Sequence, residues 1–144
     1  MLWVKTFFGI LFQTILLGIF LYLPALTLNW SDAFLLLTIH FLMTILASAY
    51  LLIVKPESIE ARMNYDSKTQ PKEDRLATAL MFSAIFVGLS LAPIDIFHLN
   101  LSSSFEGSIK NIGLAIYIIG MLLFMASLNA NEFAETTVNI QEER

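Results

Sequence analysis

The chain is 144 residues long, 57% hydrophobic and only 14% charged, with a formal net charge of −4 and no cysteine. Ordinary soluble domains carry roughly 25% charged residues, so this composition points to a membrane protein. The missing cysteines exclude a disulfide framework, thiolate chemistry and cysteine metal ligands, and the lack of a basic run argues against nucleic acid as a partner.

Four apolar runs are predicted to cross the bilayer: residues 3–23, 33–54, 76–97 and 109–128. Each is near the length of about 20 residues that a helix needs to cross roughly 30 Å of hydrocarbon. Four such lengths are more than one small soluble core can bury. The expected fold class is therefore all-α and integral membrane, with the four spans in an antiparallel bundle and a short cytoplasmic interfacial helix. The domain is expected to cover residues 1–128, followed by a polar linker over residues 129–144.

The first run carries a positive flank at Lys5 but is longer than a signal-peptide core, and no small-x-small cleavage site follows it. It is read as a retained span that ends at Pro24. Thr6, Gly9 and Gln13 lie on one side of it and are expected to face inward. Ser31 or Asp32 is placed to cap the second run, and Lys55-Pro56 stops it. Trp3, Tyr22, Trp30 and Tyr50 fall near span ends, as an interfacial aromatic belt requires.

Within the second run His40, Thr44 and Ser48 follow at i, i+4 and i+8, forming a polar stripe. An unpaired polar group is costly in hydrocarbon, so the stripe has two readings. It lines a cavity for a substrate or lipid, or its histidine is satisfied by a hydroxyl across a helix interface.

The connection over residues 55–75 opens with Pro56 and Glu57, which suit a first helical turn, and puts Ile59 and Met63 on one face. A short helix lying along the membrane surface is expected there, either as a plain solvated connection or as a surface for a catalytic domain. In the third run Ala84, Gly88 and Ala92 repeat at i+4, a face fit for close helix packing. Just past Pro93, Asp95 and His98 are spaced so that the carboxylate can orient the imidazole. With no third ligand nearby, the pair is read as capping a kinked helix rather than as a catalytic or metal centre. The fourth run offers Gly113, Tyr117, Gly120, Phe124 and Ser127 on a shared side. Seven of the eight basic residues, all but Lys110, fall on one side of these spans. By the positive-inside rule that side, with both termini and the long connection, is cytoplasmic, and the bacterial setting would be the inner membrane.

Several segments together resemble the N-terminal half of the bacterial branch of the isoprenylcysteine carboxyl methyltransferase family. They are Leu23-Pro24-Ala25, Leu28-Asn29-Trp30-Ser31-Asp32-Ala33, Lys55-Pro56-Glu57 and Glu60-Ala61-Arg62-Met63. Asp95 falls where the family often has an acid, and Asn131-Glu132-Phe133 with Thr137-Val138-Asn139-Ile140-Gln141 is similar to a segment leading to its catalytic region. The resemblance implies a membrane enzyme using S-adenosylmethionine, with these spans forming a lipid-facing wall for a hydrophobic substrate. The family's glycine-proline-tyrosine and arginine-histidine-proline region has no counterpart here, since His40 and His98 are followed by Phe41 and Leu99. No catalytic, cofactor-binding or metal residue is therefore assigned. Asn131 and Phe133 are expected to mark the junction to a catalytic half encoded beyond or apart from this sequence. The other reading is a non-catalytic membrane interaction or lipid-binding module. In both, the lipid bilayer is the principal partner.

Overall fold

The computed structural model describes residues 1–63, 72–101 and 107–130. Among them the chain is helical with no strand: α1 (Leu2–Ala25), α2 (Ser31–Val54), α3 (Pro56–Met63), α4 (Lys72–Ile94), continuing as a π-helical turn (Asp95–Leu99), and α5 (Gly107–Ala130). Four stretches, Leu2–Ala25, Ser31–Val54, Asp74–Leu99 and Gly107–Ala130, are long and apolar enough to cross a membrane. Each contains one of the predicted apolar runs and extends it by no more than two residues at an end. Continued helix keeps the backbone hydrogen-bonded until the chain reaches polar surroundings.

Span boundaries differ from expectation in two places. Pro24 lies inside α1, whose C-cap is Leu26 in the left-handed conformation at φ 53°. A proline so near the end of a helix removes a single backbone bond, which is tolerable where that carbonyl finds another donor. The N-cap of α2 is Trp30, which makes no side-chain cap bond. Ser31 is already helical, and Asp32 in the first turn is drawn instead to Lys110 at 2.5 Å.

The spans pair out of chain order. α1 packs on both α2 and α4, while α5 packs on α2; among the described residues no Cα of α4 comes within 8 Å of one in α2 or α5. Phe20 of α1 stacks on Phe86 of α4 with ring centroids 4.2 Å apart, and further along Pro24 meets His98, so these two helices run in the same direction. Asp32 with Lys110, His40 with Tyr117 and Lys55 with Asn129 do the same for α2 and α5. At the end remote from α3, Trp30 lies edge-on to both Tyr22 and Phe97, and its carbonyl accepts a bond from the Tyr22 hydroxyl at 3.2 Å.

Burial is concentrated in the first three helices. Among the described residues Ile10, Leu21 and Ala25 of α1, Ala33, Leu51 and Leu52 of α2, and Ile59 of α3 are the buried hydrophobic side chains, with Pro93 of α4 also buried. Ile59 joins Leu51 and Leu52, with Leu2 and Leu128 packed against them, so α3 closes over the ends of α1, α2 and α5. The Thr6 hydroxyl lies 3.6 Å from the Met63 sulfur in the same region.

The small-residue faces expected to point inward do not. Gly9, Gln13, Ala84, Gly88, Ala92, Gly113, Gly120, Phe124 and Ser127 are exposed, although Thr6 and Tyr117 on the same stripes are not. A Cβ added at Gly9, Gly88, Gly113 or Gly120 would meet nothing within 4 Å. Gly18 differs, since its added Cβ would sit 3.5 Å from Leu37, where α1 and α2 approach closely. Lipid tails solvate apolar surface as well as a neighbouring helix does, so nothing forces the apolar residues of these faces inward; the Gln13 amide is outside that explanation.

Candidate functional site

Several polar groups inside the spans find hydrogen-bond partners, in three ways. Thr14, Thr38 and Thr44 return their hydroxyls to the carbonyl four residues back, at 2.9, 2.8 and 2.7 Å. A second set joins α2 to α5. His40 is buried, with Nδ1 2.6 Å from the Tyr117 hydroxyl, while its Nε2 is buried without a hydrogen-bond partner. Of the stripe, His40 meets α5 through Tyr117, Thr44 bonds the His40 carbonyl of its own helix, and Ser48 is half-buried. None of these three residues lines the grooves on α1 or between α1, α2 and α4. The sequence placed Tyr117 inside a span, but its pairing with His40 depends on how two helices are rotated against each other.

The third set follows from Pro24. Its missing N–H deprives the Phe20 carbonyl, four residues earlier, of its helical donor. Ser90 of α4 replaces it, its hydroxyl donating to that carbonyl at 3.3 Å. One turn on, His98 Nε2 donates to the carbonyl of Pro24 itself at 2.7 Å, one of the terminal carbonyls that a helix leaves unbonded. Asp95 Oδ1 accepts the Leu101 N–H at 2.8 Å, which ties off the chain beyond the π turn. The two side chains thus fasten the end of α4 to α1 and to the following loop. Ser90 was legible only in retrospect: a proline inside a span signals an orphan carbonyl, and a span serine is a donor able to fill it.

Between α1, α2 and α4 lies a groove of about 500 Å³, open to the side, with Leu21, Leu36, Ile85, Gly88 and Leu89 among its walls and Trp30 and Asp32 at one end. The exposed face of Ala84, Gly88 and Ala92 forms its α4 side. A second groove of about 510 Å³ lies on α1 around Gly18, Tyr22 and Leu28. Both suit an apolar chain by their lining. The first also has a polar end, where Asp32 is paired with Lys110, both about half exposed. Among the described residues no group of three or more His, Asp or Glu side chains could hold a metal ion. Asn131 and Phe133, the expected junction, and the rest of the linker from residue 131 lie outside the described residues, as do residues 64–71 of the long connection.

No protein-family model matches this chain, and no curated protein or solved structure matches it either.

Proposed function

We propose that this chain is the membrane portion of an isoprenylcysteine carboxyl methyltransferase-like protein, in which it forms the lipid-facing wall for a hydrophobic substrate. In this reading the four spans are an antiparallel bundle with both termini cytoplasmic, and α3 sits at the cytoplasmic membrane surface. The observation that supports it is the sideways-open apolar groove between α1, α2 and α4, whose small residues on α4 leave room for a chain entering from the bilayer. The residues present do not fit S-adenosylmethionine. The grooves are apolar and open, and the arginine-histidine-proline sequence of the family has no counterpart, so the donor site is assigned to another segment or a separate chain. What these spans contribute to methyl transfer is positioning and exclusion of water on the substrate side.

A photoreactive prenyl-cysteine analogue in vesicles holding the purified chain tests the groove. Label is expected on Leu36, Ile85 or Leu89, and Gly88→Phe is expected to remove it. Equal labelling of the Gly88→Phe protein, or label spread over the outer face of α5, would sink the groove reading. Calorimetry with S-adenosylmethionine is expected to show no binding to this chain alone; micromolar binding would refute the assignment of the donor site elsewhere. The alternative, a non-catalytic membrane interaction module, is favoured by the wholly exposed outer face of α5.

A further inference from the structure

We propose that the α1 face bearing Gly9 and Gln13 is the contact surface for a second copy of this chain in the membrane, the two Gln13 amides hydrogen-bonding to each other across a twofold axis. Gln13 lies near the middle of α1, so about 16 Å of helix separates it from either end at about 1.5 Å per residue. Its short side chain cannot reach the membrane surface from that depth, as a long lysine or arginine near a helix end does.

The amide is exposed and has no hydrogen-bond partner among the described residues. It stands apart from the threonines at 6, 14, 38 and 44, each of which bonds its own helix backbone. It also differs from Ser90, His40 and Tyr117, which find partners on a neighbouring helix. A primary amide carries two donors and an acceptor oxygen, and hydrocarbon tails satisfy neither. One turn before it, Gly9 is exposed with nothing within 4 Å of where a Cβ would stand, so another backbone can come close.

Depth identifies the occupant. A copy inserted in the same orientation brings its own Gln13 to the same level, and an amide, being both donor and acceptor, is complementary to itself. A twofold contact uses the same patch on both partners, which this geometry meets without any further requirement. A different protein would need a polar group of its own at mid-span. The inference rests on the four spans alone and is independent of the methyl-transfer reading.

The chain has no cysteine, so single-cysteine variants report one position each. Oxidation of Leu16→Cys, one turn beyond Gln13, in vesicles of phosphatidylethanolamine and phosphatidylglycerol is expected to give disulfide-linked dimers. Ile116→Cys, on the exposed side of α5, is expected to give few. Adding Gln13→Leu should lower the Leu16→Cys dimer fraction, with an association constant reduced on the order of fivefold to tenfold. Gln13→Asn should restore most of it. Because Gln13 has no partner among the described residues, helicity and thermal unfolding of Gln13→Leu should match the parent, which separates a lost contact from a lost fold. Equal cross-linking at positions 16 and 116, or a dimer fraction unmoved by Gln13→Leu, would overturn the proposal.

Discussion

Among the described residues the first three helices supply every buried hydrophobic side chain except Pro93, the one buried residue of α4, whereas α5 supplies none. The first group is joined by packing: Ala25 and Ala33 are nearly sealed from solvent, and Leu51, Leu52 and Ile59 form a continuous cluster. α4 joins it through the Phe20–Phe86 stack as well as Ser90 and His98, whereas α5 is held to α2 chiefly at polar points, Lys110, Tyr117 and the Asn129 carbonyl, with Leu128 against the cluster. The difference shows what governs association where there is no water to expel. Close packing and individually modest hydrogen bonds do the holding, and an apolar face left in lipid carries no penalty.

Substitutions that strike one half and spare the other test this contrast. The largest effect is expected at Leu51→Ala, which opens a cavity in the packed cluster and should cost about 2–5 kcal/mol. The same change at Leu123, exposed on α5, should stay within about 0.5 kcal/mol. Reversible unfolding in mixed detergent micelles reads both, and similar losses at the two sites would remove the contrast.

Next is His40→Leu, which strands the Tyr117 hydroxyl and should cost about 1–3 kcal/mol. Its double-mutant cycle with Tyr117→Phe should show a coupling of about 0.6 kcal/mol, the average for such bonds in membranes. If His40→Leu left stability unchanged while shifting which lipids co-purify, the stripe of His40, Thr44 and Ser48 would be the lining of a cavity. Smaller again is Ser90→Ala, expected to cost about 0.5–1.5 kcal/mol because the Phe20 carbonyl loses the donor that replaces the missing proline N–H. In a Pro24→Ala background the helix supplies its own donor, and Ser90→Ala should then be nearly silent. A Ser90→Ala cost equal in both backgrounds would show that the serine does not serve that carbonyl.

The smallest effect belongs to Lys110→Ala. Its ion pair with Asp32 is half exposed, so the loss should be about 0.2–1 kcal/mol and shrink as salt is raised. A loss as large as that of His40→Leu would mean that α5 is fastened at its end rather than along its length.

Legibility in the sequence followed the range over which each property is decided. Spans could be placed to within two residues because hydropathy over about 20 residues, and the turn chemistry around Pro56, are local. Rotation of each span about its own axis was not legible. All four spans are apolar around most of their circumference, so no stripe announces an inward face. Small residues such as Gly9, Ala84 and Gly88 allow close packing without requiring it, so their stripes, and Gln13 beside them, do not reveal which way a span is turned.

Sequence alone determined that this chain has four membrane-length helices, how polar residues are spaced within them, and that it lacks cysteine chemistry. Which helices touch was settled only in three dimensions. α4 meets α1 through the Phe20–Phe86 stack and the Ser90 bond to the carbonyl that Pro24 orphans, and α5 meets α2 where His40 and Tyr117 lie at the same depth. Those pairings join residues about 70 to 80 positions apart, and the free energy that selects them exists only after the helices have formed and turned toward each other.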